Sequence, residues 1–222
     1  MRTRRCRSRY TKRRCRLTDA PFTPLTKNVD SMIRGLIALG LAALAMPAFS
    51  ASLDLTFGED SIRGEYAVAV GPNRADNVAS LDLGVLYQDE SGSDALLGHV
   101  GLMILGDTGA PKANVKAGVG GRAVILDSDS GLTGAAVALG GTLDGRVPDF
   151  NRIGGRAWVF YAPSVSAFDD IDKYFEFGLS VDYQLIRQAY IVAGYRKLEA
   201  GLDGGPDVDI EDSAFIGLRM VF

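Results

Sequence analysis

Beyond residue 50 this 222-residue chain has no cysteine, and in its whole length it has one histidine, His99. Disulfide stabilisation and thiol chemistry are therefore excluded from the larger part of the chain. The two cysteines, Cys6 and Cys15, stand in CRSRYTKRRC, a spacing with no metal-binding partner near it. No long segment after Ala51 repeats apolar residues at helical spacing, so a helical domain is not expected there. The one unbroken small and apolar run, Leu36 to Ala45, is about half the roughly 20 residues that a spanning helix needs.

That run has a different meaning in its context, MIRGLIALGLAALAMPAFSA. Met32 can serve as a start and Arg34 as a positive n-region, and Pro47 breaks the helix. Ala48-Phe49-Ser50 then places small residues at both positions critical for cleavage. This is the anatomy of a secretory signal over 32–50, with cleavage expected before Ala51. Residues 1–31 carry ten of the 24 Lys+Arg and no hydrophobic period. They read as a basic extension ahead of the true start at Met32. The rival reading, a nucleic-acid-binding arm, requires a soluble intracellular body behind it. Eleven of the 24 Lys+Arg and two of the 27 Asp+Glu precede Ala51, which leaves 13 basic and 25 acidic residues, a net charge of −12. Nucleic acid is an improbable partner for such a chain. About 170 residues suffice for one domain.

From Ala51 onward the pattern is alternation, in segments bounded by Gly, Asp, Asn, Pro and Ser. Ten segments are read as strands. They are SLDLTFG, IRGEYAVAV, VASLDLGVLYQ, ALLGHVGLMIL, KANVKAGVGGRAVIL, LTGAAVALGGTL, RIGGRAWVFYAP, KYFEFGLSVDYQLI, QAYIVAGYRKLEA and SAFIGLRMVF. Phe175, Phe177, Leu179, Val181, Tyr183 and Leu185, for example, oppose Glu176, Ser180, Asp182 and Gln184. The fourth, sixth and seventh segments are small or apolar on both faces, and their phase is ambiguous.

A soluble sandwich would alternate too. Two features favour a transmembrane barrel: the polar face carries charge in mid-strand, and it is rich in glycine. In a small membrane barrel the apolar face meets lipid and the polar face fills the interior. Every backbone group must also be bonded within hydrocarbon, so the sheet must close on itself. The expected fold is all-β, an antiparallel transmembrane up-and-down barrel of about 10 strands. Eight is the alternative count, and an even number returns the C-terminus to the periplasm. The outer loops would be GEDS, DESGSD, DSDSG, SVSAFDDID and the stretch around GLDGGPDVDIED. The inner turns would be GPNRADN, GDTGAP, DGRVPDFN and a tight turn near Arg187. Two of these inner turns are long for that side.

The interior charges expected to pair with one another are Asp54, Arg63, Glu65, Asp82, Lys116, Arg122, Arg156, Glu176, Asp182, Arg196 and Arg219. Paired and hydrogen-bonded, such charges cost far less than they would alone. They read as a polar plug or as the lining of a narrow ion path, and open aqueous channels need about 16 to 18 strands. At the chain end Ala214, Ile216, Leu218, Met220 and Phe222 share one face. A terminal aromatic behind alternating apolar residues resembles the C-terminal strand that the barrel-insertion machinery of the outer membrane recognises.

On the alternation His99 shares the interior face with Gly101 and Met103, and its strand has no His-x-Ser pattern. A hydrolase would need a hydroxyl within reach of the imidazole, and Asp82 and Ser80 on a neighbouring strand keep a remote site open. The acidic residues Asp169, Asp170, Asp172, Asp203, Asp207, Asp209, Glu211 and Asp212 could bind divalent cations weakly through oxygen ligands. DGGPDVDIED does not have EF-hand spacing, and the plainer reading is a solvated surface near lipopolysaccharide. GGRAV and ALGG are not nucleotide-binding patterns, and glycine there makes room within strands. No cofactor is expected.

The segments SLDLTFG and IRGEYAVAV, the run FYAPSVSAFDDIDKYFEFGLSVDYQL, VAGYRKLEAG and the closing FIGLRMVF together resemble the YfaZ family of bacterial outer-membrane proteins, over essentially all of the chain after the signal. The resemblance implies an envelope location and a barrel fold, and it transfers no catalytic residue. The Arg-rich extension departs from the family pattern. The expectation is a structural or envelope-interaction barrel without catalysis, in contact with outer-membrane lipids and lipopolysaccharide. A small porin is the first alternative and an outer-membrane hydrolase the second.

Overall fold

A computed structural model describes residues 50–74, 77–90, 93–109, 114–128, 133–202 and 207–222. The basic extension, both cysteines, the export segment up to Phe49 and Asp203 lie outside the described residues.

Each of the ten alternating segments forms a strand. They are β1 (Ala51–Phe57), β2 (Ser61–Arg74), β3 (Asn77–Glu90), β4 (Ser93–Asp107), β5 (Asn114–Ser128), β6 (Thr133–Arg146), β7 (Ile153–Ala162), β9 (Ile171–Ile186), β10 (Ala189–Leu202) and β11 (Asp207–Val221), with a three-residue strand β8 (Ala167–Asp169) between β7 and β9. Every pairing is antiparallel, and β1 pairs with β11, so the ten long strands form a closed ring. Among the described residues no helix is long and apolar enough to cross a membrane. Closure leaves the ring without an unpaired edge, the condition for strands to stand in lipid.

Alternation fixes which side chains face out. Leu102, Ile104, Val119, Ile125, Leu139 and Val181 are large, apolar and exposed. On β11 the outward side runs from Asp212 through Ala214, Ile216, Leu218 and Met220 to Phe222, with no charge between the ends. Ten residues at about 3.4 Å each, tilted about 40°, span about 25 Å across a bilayer, the height of the apolar band in such barrels. Exposed Tyr87, Tyr161 and Tyr195 stand near one rim, and Tyr183 and Phe222 near the other. These are the positions of the aromatic girdles.

The rim bearing the chain ends is here the terminal end, and the opposite rim is the loop end. Two connections differ from expectation. At GPNRADN the turn is largely absorbed into strands, since β2 continues to Arg74 and β3 begins at Asn77. In SVSAFDDID, Ser164–Ser166 form a 3-10 turn and Ala167–Asp169 form β8, which pairs with Gly134–Ala136 of β6. The cause is a mismatch of length. The β6–β7 pairing stops at Leu139↔Tyr161, and the rest of β6 offers unpaired backbone that β8 takes up.

The interior is not uniformly polar, which corrects the expectation of a wholly polar plug. Toward the loop end, Leu86, Leu97, Leu126, Phe160 and Leu198 point inward and are fully buried in one apolar cluster. Each contributes about 1.5–3 kcal/mol on burial. Toward the middle and the terminal end, the inward positions carry charge. The fourth, sixth and seventh segments, ambiguous in sequence, supply much of the apolar half through Leu97, Ala136, Ala138 and Phe160.

Candidate functional site

The charged layer is organised around Glu176 on β9, whose side chain is 1 % exposed. Its Oε1 accepts hydrogen bonds from Arg63 Nη1 at 2.8 Å and Trp158 Nε1 at 3.0 Å. Its Oε2 accepts from Arg122 Nη1 at 3.0 Å and Tyr174 Oη at 2.9 Å. Four donors saturate an ionised carboxylate, and two of them are guanidinium groups, so the bonds are charge-assisted. Glycines create the space. A Cβ at Gly178 would collide with the Trp158 indole, and one at Gly84 with the His99 ring.

Around this hub Arg63 Nη2 donates to Glu65 at 2.8 Å and Arg122 Nε to Asp82 at 3.1 Å. The Arg122 guanidinium also lies over the Phe160 ring, 4.1 Å from its centroid, at the junction with the apolar cluster. Nearer the terminal end, Arg219 Nε donates to Asp54 at 2.6 Å, with Nη1 3.6 Å from Asp182. Asp182 also accepts from Arg146 Nη2 at 3.1 Å, and Asp144 accepts from Arg156 Nε at 2.9 Å. Arg196 binds Glu211 through Nε and Nη2, both at 2.7 Å, and Ser61 Oγ donates to the same carboxylate at 2.7 Å.

Of the eleven charges singled out in sequence, ten stand in ion pairs inside the ring: Asp54, Arg63, Glu65, Asp82, Arg122, Arg156, Glu176, Asp182, Arg196 and Arg219. Lys116 is exposed on β5 toward the terminal end and has no ion pair among the described residues. Three partners escaped the sequence reading. Asp144 and Arg146 share the inward face of β6 with Thr142, a periodicity visible in TLDGR. Glu211 was placed in an acidic loop. The structure buries it in β11, a correction whose cause is the length of that strand: it begins at Asp207, and alternation puts Glu211 on the inward side with Phe215, Gly217 and Arg219, with the extra residue Ile210 only beyond it. The C-terminal side chains Ala214, Ile216, Leu218, Met220 and Phe222 all face out and are exposed.

Several loop-end acids already have cationic or backbone partners. Lys173 Nζ bonds Asp207 at 2.7 Å, and Lys197 Nζ lies 2.6 Å from Glu199 and 3.7 Å from Asp209. Asp170 accepts from the Thr133 amide. His99 Nε2 lies 3.3 Å from Asp82 and 3.9 Å from Glu65, outside hydrogen-bond geometry. The three could offer one ligand atom each to a metal ion, all within 4.8 Å of one another. Both carboxylates are already engaged by guanidinium groups, so a divalent cation would have to displace Arg63 or Arg122, and the donor set fits one poorly. Among the described residues no hydroxyl bonds His99, which leaves the imidazole without a nucleophile to activate.

The family model described as YfaZ precursor matches residues 31–222. The chain is 29% identical over 187 residues to "Outer membrane protein YfaZ" of Escherichia coli (strain K12), covering 83% of this chain and 98% of the relative. Among solved structures it is similar to the translocator domain of autotransporter NalP from Neisseria meningitidis, at 14% identity and TM-score 0.38, over 89% of this chain and 97% of that one. It is also similar to a major outer membrane protein from Thermus thermophilus, at 11% identity and TM-score 0.30, over 79% and 100%.

Proposed function

This chain belongs to the YfaZ family and is an outer-membrane β-barrel, and from that premise we propose that it is a structural, envelope-interacting barrel that neither conducts nor catalyses. The observation that carries the reading is the apolar filling of the loop-end half of the lumen, with Leu86, Leu97, Leu126, Phe160 and Leu198 meeting in one cluster. An ion crossing that layer would meet aliphatic and aromatic side chains, the nearby Glu211 carboxylate being already held by Arg196 and Ser61, and an unpaired charge in an apolar medium is prohibitively costly. The ten-strand ring is also narrower than the roughly 16 or more strands of open channels. Planar-bilayer recording on the pure protein is expected to show no unitary steps, and steady steps would establish the porin alternative instead.

The longest connection, 163–170, lies at the loop end, and ten strands leave both chain ends on the opposite rim, so in this reading the loop end faces outward. Lipopolysaccharide and its bridging cations are the partners of that rim, lipid those of the flanks, and the insertion machinery reads the β11 face during assembly. Residues 32–50 act as the export signal in this reading. The family match covers residues 31–222 and leaves the basic extension before residue 31 outside it. Absence of catalysis rests on the surroundings of His99. A His99→Ala variant is expected to leave envelope phospholipid, lipid A and protein turnover unchanged, and loss of a lipid-modifying or proteolytic activity would favour the hydrolase.

A further inference from the structure

We propose that the lumen contains a binding site for a small oxyanion, a phosphate or a carboxylate, entered from the terminal end. On the terminal side of Glu176 lies a cavity of about 70 Å³, several times the roughly 10–15 Å³ of such space that one water needs. Its wall carries five guanidinium groups, those of Arg63, Arg122, Arg156, Arg196 and Arg219. Only two carboxylates, Asp54 and Glu65, join them there. The remaining acids paired with these arginines are Asp82, Asp144, Glu176, Asp182 and Glu211, and they stand outside the wall. The ion pairs are thus turned with their cationic ends toward the void. The cavity is lined by positive charge although the interior as a whole is nearly balanced.

The donors of that wall are not all used. Arg156 hydrogen-bonds through Nε alone, Arg196 through Nε and Nη2, and Arg219 through Nε. Both Nη of Arg156, Nη1 of Arg196 and Nη2 of Arg219 make no hydrogen bond among the described residues. The nearest carboxylate of the hub, Glu176, already accepts four hydrogen bonds and has no capacity left. Unspent guanidinium N–H groups form a planar fork matched to carboxylate and phosphate oxygens. Trp158 and Phe215 supply the apolar part of the wall, with Phe215 fixed beneath the Arg196 guanidinium at 5.1 Å. This geometry suits a compact anion, and a lipid headgroup on the outer surface of the ring does not reach it.

The direction of entry follows from exposure. Arg156 and Asp144 retain 29 % and 31 % of their side-chain exposure, while Leu126, Phe160 and Leu198 toward the loop end have essentially none. The site is therefore a blind pocket facing the terminal rim. Its existence does not depend on whether the lumen conducts, so it stands or falls separately from the reading above.

Trp158 is the one tryptophan of the chain and lines the cavity, so its emission reports on occupancy. The detergent-folded protein is titrated with sodium phosphate and with sodium acetate at constant ionic strength, against sodium chloride alone. A saturable change with at least one of the two oxyanions, absent with chloride, is expected. Arg156→Gln is expected to weaken it by about tenfold, the worth of one charge-assisted contact. Asp144→Asn, which removes a competing acceptor from Arg156, is expected to tighten it. Heat-modifiable gel mobility establishes that each variant is folded. Arg156→Lys, which keeps the charge and loses the fork, takes the place of the glutamine variant if that one does not fold. No saturable change with either oxyanion, an equal change with chloride, or an unaltered midpoint in the Arg156 variant would overturn the proposal.

Discussion

The two halves of the lumen fill one ring in opposite ways. The loop-end half is packed mainly with Leu, Ala and Phe side chains that need no partner, with the fully paired Arg196–Glu211–Ser61 cluster beside them. The half nearer the termini is filled with ion pairs that must each find a partner, and it keeps a cavity between them. Glu176 stands at the boundary, with Tyr174 and Phe160 on its apolar side and Arg63 and Arg122 bound to it. The contrast teaches that closure and charge are separate devices here. The apolar half blocks the passage, and the charged half is free to present donors to whatever enters it.

The largest effect should come from the boundary. Glu176→Ala leaves two buried guanidiniums without their shared acceptor and is expected to destabilise by about 3–5 kcal/mol. Urea unfolding midpoints in detergent or vesicles measure it, and a loss below about 1 kcal/mol would mean that the halves are not joined through this residue. Leu126→Ala, within the apolar half, is expected to cost about 2–5 kcal/mol by the same measurement, according to how far its neighbours relax. Arg156→Gln in the open half should cost less than about 1 kcal/mol, because solvent already screens the Arg156–Asp144 pair. If it proved as damaging as Leu126→Ala, the division into a packed and an open half would fail. Lys173→Gln, breaking an ion pair 41 % and 52 % exposed at the loop rim, should leave the unfolding midpoint unchanged within the error of the same measurement.

The strands were legible because the signal is local. Period-two alternation sets face and span segment by segment, and the run from Ala214 to Met220 shows its lipid side without reference to any other strand. What lay beyond reach depends on register between distant parts of the chain. Arg219 meets Asp54, and Ser61 meets Glu211, at separations of 165 and 150 residues. In RAWVFYA only Arg156 marks the inward face, and Trp158 and Phe160 beyond it are as apolar as the outward Val159 and Tyr161, so nothing local shows that they fill the lumen. The division of the lumen went unseen for that reason. Glu211 lay on the inward face by the same count by twos that gives Arg219, Phe215 and Ser213, and it was missed because the strand was ended at Ser213 and the acidic run before it taken for loop, whereas β11 begins at Asp207.

The ring is joined least where its first and last strands meet. β1 and β11 share six residue pairs, from Ser52↔Val221 to Phe57↔Ile216, whereas β10 and β11 share thirteen. That seam also ties together the parts of the chain farthest apart in sequence, so its closure carries the greatest loop entropy of any in the ring. Of all the pairings in the ring this one therefore has the highest closure cost and the fewest residue pairs to offset it. Arg219 and Asp54, bonded across the seam at 2.6 Å, are the clasp on the joint that is cheapest to part.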